Sequence, residues 1–519
     1  MRFEMIKAYY FMKPIYGLVQ IHTKSIKTVI ALLCLVFFQS IYAYDYNLPD
    51  LGTPSDAVMS PVKEKEIRDQ IVQQIYEYNL VMSDPVVMSY IEQIGFRLAA
   101  NSEKPSSSFD FFMINDNTVN ASAYPGGLII VHSGLFLRTE NESELAGVIA
   151  HEIAHATQRH ISRFYADAKK NTLPTILGML GAIAASQSSN SGDAPIAILA
   201  ATTAMQQQAM INYTRSNEYE ADRVGINTLI NAEFNPNGMA GFFEKLMRET
   251  PIDERYQMPE YNRTHPLSIN RVSEAKNRAQ NIQNKDFHES DLYPFLKERV
   301  RVLTKNTEID SLSYYQKLFK EKLSADITNA EKYGYALSLY NSSNFDSALK
   351  IINQTRPTAQ TKLLVAVLKA QIICELDFQS GKKQFEELYK FYPESPVVME
   401  SYIQSLSRNG SFPSREKARI LARKLVLLFP ENANYYSLLA ISNQNLGKSI
   451  EANEALAMKE HIVNNNYRAV RILKNILKED LDYYQRAKIE SKITQYEALI
   501  THSERDREIQ QERESRRRN

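Results

Sequence analysis

Cysteine, net charge and long apolar runs are all scarce in this chain of 519 residues. Two cysteines, Cys34 and Cys374, cannot build a disulfide framework. Cys34 lies in a segment expected to be removed, and the lone thiol left over allows an oxidising compartment without demanding one. No lipobox-like small residue precedes Cys34, so lipid attachment is not expected. A formal net charge of +1 gives no general attraction to nucleic acid or to an anionic membrane surface. No apolar stretch reaches the ~20 residues that span a bilayer comfortably.

What is present describes a soluble globular protein, with 44% hydrophobic and 23% charged residues. The length exceeds one ordinary core and predicts two or more domains. At the start, Lys24 and Lys27 precede an apolar run over 28–38, followed by Gln39-Ser40-Ile41-Tyr42-Ala43. Basic flank, short apolar stretch and small terminal residue predict a secretory signal peptide over 1–43, cleaved after Ala43. An uncleaved membrane anchor is the alternative, and Met5 or Met12 are alternative starts. Residues 44–61 are polar, contain Pro and Gly, and read as an extended arm.

Helical spacing follows over 62–100, as in Ile67, Ile71 and Ile75. Residues 109–114 and 128–131 read as two strands, with Tyr124-Pro125-Gly126-Gly127 a turn between them. The strand at Leu128 is either a sheet edge to which a substrate adds, or a plain internal strand. Asn141 with Glu144 resembles a capping box, and Leu145, Val148 and Ile149 give the next helix an apolar face. Apolar stretches at 173–185 and 195–205 read as a helical hairpin, with membrane contact as the alternative. Helical patterns continue over 214–250 and 266–282. Beyond about 305 the chain changes to helix pairs. Tyr333-Gly334, Leu337, Tyr340, Phe345 and Ala348 lead to Pro357, and Pro393 and Pro430 close later units. That pattern predicts tetratricopeptide repeats, whose period is about 34 residues. An irregular helical domain is the alternative. The expected fold is mainly α with a small β-sheet: a catalytic domain over 62–304, an α-solenoid of repeats over 305–500, and a charged tail over 501–519.

The chemistry centres on His151-Glu152-Ile153-Ala154-His155. On a helix, positions i and i+4 share a face, so both imidazoles can reach one ion. Glu152 can then take a proton from water on that ion without being a ligand. A third His at metzincin spacing would fall at 161, which is Ile, and the accompanying Gly at 158, which is Gln. His160 lies on the wrong side of the helix and reads as a structural histidine. Glu218 is the candidate third ligand, with Asp222 one turn on, placed to accept a hydrogen bond from a ligand imidazole. Glu220 falls on another face and reads as solvated. His265, in Thr264-His265-Pro266, offers an electrophile for the oxyanion, or a fourth ligand that holds the site latent. One Zn2+ per chain is expected, with no other cofactor.

His151-Glu-x-x-His155, Glu218-x-x-x-Asp222 and His265-Pro266-x-x-x-x-Arg271, in this order, resemble the gluzincin zinc metallopeptidases related to HtpX and the CAAX prenyl proteases. Asn120-Ala-Ser-Ala-Tyr-Pro-Gly-Gly127, Asn141-Glu-Ser-Glu-Leu-Ala146 and Gln158-Arg-His160 agree with that pattern. The resemblance implies zinc on His151, His155 and Glu218, with Glu152 as general base. It also implies a periplasmic endopeptidase in quality control of outer-membrane beta-barrel proteins, with outer-membrane association left open. Its expected substrates are misfolded or stalled barrels, and its repeats are expected to assist assembly. Expected partners are unfolded outer-membrane proteins, the beta-barrel assembly machinery and a lipopolysaccharide-transport barrel. A chaperone or scaffold with secondary proteolysis is one competing expectation. A membrane-embedded prenyl-protein protease is another.

Overall fold

A computed structural model describes residues 59–105, 107–160, 162–163, 215–249, 260–280, 287–304, 310–500 and 505. The expected signal peptide, residues 44–58 of the arm, the apolar hairpin and all but one residue of the tail lie outside them. Among the described residues the chain opens with helices α1 (Pro61–Glu77) and α2 (Pro85–Ala100), each with Pro at its first turn. Ser60 and Asp84 cap them by accepting from the backbone N–H of Lys63 and Val87.

Three strands follow: β1 (Asp110–Ile114), β2 (Ala121–Tyr124) and β3 (Leu128–His132), in sheet order β1-β3-β2. β3 pairs parallel with β1 and antiparallel with β2, and every one of its residues is buried. β3 is therefore the central strand, so of the two readings of Leu128 the internal strand is the one that holds. β1 and β2 flank it in the sheet, and β2 is not among the expected strands, because Ala-Ser-Ala-Tyr is short and shows no apolar alternation. His132 N–H donates to Asn120 O at 3.0 Å, and Ser122 pairs with Ile130. Antiparallel alternation then turns the backbone groups of Ala121 and Ala123 away from β3.

After α3 (Ser133–Arg138) comes α4 (Glu142–Thr157), the axis of the first half. Asn141 Oδ1 accepts from Glu144 N–H at 2.8 Å, so the cap forms. The box does not close on Asn141, because Glu144 Oε2 accepts instead from Glu140 N–H at 2.8 Å and from Lys245 Nζ at 2.7 Å. Leu145, Val148, Ile149 and Ile153 of α4 are fully buried, each contributing roughly 1.5–3 kcal/mol of transfer free energy. Helices α5 (Arg215–Asn231) and α6 (Asn237–Glu249) press on α4. Gly147 permits this: a Cβ there would stand 2.8 Å from the Met239 Cα of α6. Two shorter helices, α7 (Glu260–Thr264) and α8 (Ile269–Gln280), complete the surroundings of the site.

Then α9 (Leu292–Leu303) and α10 (Ser311–Glu321) lead into helix pairs. These are α11 (Asn329–Asn341) with α12 (Phe345–Ile352), α13 (Lys362–Leu376) with α14 (Phe378–Phe391), and α15 (Pro396–Asn409) with α16 (Phe412–Leu428). After them come α17 (Ala433–Gln444) with α18 (Ser449–Ile462), and α19 (Asn466–Ile476) with α20 (Tyr483–Glu497). The pairs begin at 329, 362, 396, 433 and 466, so 33 to 37 residues apart, as a tetratricopeptide solenoid requires. Pro357, Pro393 and Pro430 fall between pairs, where a missing N–H costs nothing. One apolar cluster runs from Ile149 of α4 through Leu296 and Val300 of α9 to Tyr333 and Leu337 of α11. No helix among the described residues is long and apolar enough to cross a membrane.

Candidate metal centre

α4 delivers His151, Glu152 and His155, and α5 crosses it to deliver Glu218 and Asp222. The crossing is close because Gly225 of α5 faces the Ala150 carbonyl, where a Cβ would stand 3.2 Å away. His265 follows α7, its N–H donating to Tyr261 O at 2.7 Å, and its ring stacks on Tyr261 at 4.7 Å between centroids. All five of the first set and His265 are buried.

Four ligand atoms converge. His151 Nε2 lies 3.0 Å from His155 Nε2 and 3.3 Å from His265 Nδ1. His265 Nδ1 lies 3.3 Å from Glu218 Oε2, and the Glu218 carboxylate stands 3.5 Å from both His151 Nε2 and His155 Nε2. Donors bonded at ~2.0–2.1 Å to a tetrahedral ion stand about 3.3–3.4 Å from one another, and these edges bracket that value. Glu218 Oε1 is buried without a hydrogen-bond partner, a costly state that a cation at the focus relieves. Two or three imidazoles with one carboxylate are the donor set of zinc, and the site fits it.

The surroundings fix these ligands. Asp222 Oδ1 stands 3.0 Å from His151 Nδ1. Arg271, fully buried, donates Nε and Nη2 to Asp222 at 2.7 and 2.8 Å, and Nη1 to Pro266 O at 2.9 Å. Its Nη1 also lies 2.9 Å from Glu218 Oε2. One guanidinium therefore holds the outer carboxylate, the inner carboxylate and the His265 loop. The motif His-Pro-x-x-x-x-Arg contains Arg271, but neither spacing nor residue type reveals that clamp. Burial works against charge on Asp222, yet hydrogen bonds from Arg271 and His151 hold it below the usual carboxylate range. Burial likewise opposes charge on Glu218, and the neighbouring histidines keep it well below its ordinary value. His151 shows the reverse: burial lowers it, but Asp222 and Glu218 lift it to about 9. Glu152 is pushed up by burial, against the pull of His265 and His151. Its Oε2 accepts from Ala123 N–H of β2 at 2.9 Å, and its Oε1 lies 3.4 Å from His265 Nε2.

Two expectations need correction. Glu220 is not a solvated bystander: its Oε2 meets His160 Nε2 at 3.0 Å. His160 is hydrogen-bonded as expected, but its partner is the candidate ligand His155, Nδ1 to Nδ1 at 3.0 Å. The helical period places His160 off the ligand face, but α4 ends at Thr157 and Arg159 takes a left-handed turn with φ 56° that brings the ring back.

A buried helix bearing two histidines and a carboxylate, crossed by a second helix bearing a third donor, defines a metallopeptidase class of site. Residues 85–279 match the family model described as Peptidase family M48. The chain is 37% identical over 309 residues to the Beta-barrel assembly-enhancing protease of Yersinia pestis and 34% identical over 308 residues to that of Escherichia coli strain K12. Each alignment covers 59% of this chain and 62% of the relative, so the likeness takes in less than two thirds of those proteins. The Mitochondrial metalloendopeptidase OMA1 of Schizosaccharomyces pombe is 26% identical over 183 residues, 35% of this chain and 50% of that protein. The resemblance drawn from the motifs is thus borne out.

Proposed function

We propose that this chain is a periplasmic zinc metalloendopeptidase acting on misfolded or stalled outer-membrane beta-barrel proteins, its repeats assisting their assembly. The observation that carries the reading is the convergence of His151, His155, Glu218 and His265, whose ligand atoms all lie within 4.8 Å of one another, beside the buried, half-paired carboxylate of Glu152. His151, His155 and Glu218 hold the ion. Zinc bound there supplies Lewis-acid activation of water and of the scissile carbonyl. Glu152 takes the proton at Oε1 while Oε2 stays anchored on Ala123 N–H, so the base is aimed without rotating. Burial raises its affinity for that proton, which favours taking it from the attacking water. Asp222 fixes the His151 tautomer from behind.

The substrate lies along β2, where Ala123 is partly exposed beside Glu152 and turns its carbonyl away from β3, its N–H being held by Glu152 Oε2. Strand addition reads main chain and tolerates many sequences, which suits unfolded barrel proteins rich in unpaired strands. His265 Nδ1, 3.3 Å from donors on both helices, is the fourth ligand of a resting, latent site. On opening, the same ring is free to face the oxyanion. A link to barrel assembly is supported by the names of the two assembly-enhancing relatives. The deciding experiment pairs metal analysis with cleavage of an unfolded outer-membrane barrel protein, wild type against Glu152→Gln. Equal zinc content with lost cleavage is expected. Undiminished cleavage by the variant defeats the mechanism, and complementation of an outer-membrane defect by it favours a scaffold.

A further inference from the structure

His160 is fully buried, yet a structural histidine has no need to meet another imidazole nitrogen to nitrogen. Its ring stands edge-on to His155 at 78° with centroids 4.9 Å apart. The geometry leaves one consistent proton arrangement. His155 turns Nε2 toward His151 and Glu218, so with the ion bound on Nε2 its proton sits on Nδ1. That proton is donated to His160 Nδ1, 3.0 Å away, which must then carry a lone pair. The His160 proton is left on Nε2, aimed at Glu220 Oε2 at 3.0 Å. A carboxylate at the outer end thus dictates both tautomers, and Arg163 Nη2 at 3.4 Å and Arg223 Nη2 at 3.9 Å hold that carboxylate in place.

The backbone is arranged for this contact. Arg159 adopts φ 56°, a region that disfavours a side chain, and its guanidinium is fastened to Met59 O at 3.0 Å and Glu64 Oε1 at 2.6 Å. The two candidate histidine ligands are therefore backed differently. His151 meets a buried carboxylate directly at Asp222, whereas His155 meets one through a second imidazole, at a carboxylate one third exposed.

We propose that His160 and Glu220 are positioning residues for the metal, a two-member relay that fixes the His155 ring and strengthens its Nε2 as a ligand. The inference rests on the zinc site proposed above.

The test uses the full chain and reads zinc affinity by competition with a chromophoric chelator, together with the visible spectrum of the Co2+-substituted protein. Glu220→Ala and His160→Phe are expected to weaken zinc about 10- to 100-fold and to alter the Co2+ bands. His160→Asn, whose amide oxygen can replace Nδ1 as acceptor, should recover most of the affinity. His151→Ala serves as the control that abolishes the site. Unchanged affinity and spectrum in Glu220→Ala, a surface change that leaves the core intact, overturn the relay while the zinc site stands. Recovery absent in His160→Asn despite an unchanged melting temperature also overturns it. A wild type that binds no zinc removes both the site and the relay.

Discussion

At Arg271 a single buried side chain satisfies two carboxylates and a carbonyl. Removing it leaves Asp222 and Glu218 buried without their cation, a change that costs about 3–5 kcal/mol when one partner of a buried pair is lost. Arg271→Met should therefore lower the denaturation midpoint of the metal-free protein, and Arg271→Lys should not rescue it, because an ammonium cannot bridge Asp222 bidentately. Equal midpoints for Arg271→Met and wild type would sink this account. His265 carries the opposite expectation. If its Nδ1 fills the fourth vertex at rest, His265→Ala opens that vertex to water, and the Co2+ spectrum shifts together with a change in basal cleavage of unfolded barrel protein. Neither change occurring means the ring is a bystander.

Among the elements, α4 matters most, and its packing depends on places where side chains are missing. Gly147→Ala would put a methyl group 2.8 Å from the Met239 backbone, and overpacking of that kind costs about 1–3 kcal/mol. We expect a lower melting temperature and reduced zinc content; a variant indistinguishable from wild type would show that α6 gives way freely. The helices themselves were readable in advance. His151 and His155, then Glu218 and Asp222, repeat the same one-turn spacing, so local periodicity exposed both donor faces before any fold was known. The crossing of α4 with α5 was implied only by the chemistry of the donors. Glu220 escaped because its contact depends on the left-handed residue Arg159, a backbone event with no sequence period. β2 is not legible in the sequence because its small and polar residues carry no alternation, whereas β3, buried along its whole length, reads as a plain apolar run.

Across the whole molecule, α15 of the third repeat pair returns to lie against α2. Beside them Arg299 of α9 holds Asp84 at 2.8 and 2.6 Å and donates to the Tyr333 hydroxyl at 2.6 Å. Burial, and then the nearby Asp84, push Glu400 of α15 up to about 8, with Arg299 opposing. A raised acid keeps its proton longer in the folded state, so the folded form gains relative stability below that value. This contribution is present at pH about 4.5 and fades as pH rises toward 8. Glu400→Gln should thus match wild type in melting temperature near pH 5 and exceed it near pH 8. Parallel curves at both values would rule out Glu400 as the source.

The apolar cluster that passes from α4 through Leu296 and Val300 to Tyr333 and Leu337 has a mechanical consequence. Handle and blade are cast in one piece. If the early repeats hold a substrate strand, as proposed, they hold it on the same apolar core that carries the metal helix. On that proposal, the bond that is cut depends on where along the strand the repeats take hold.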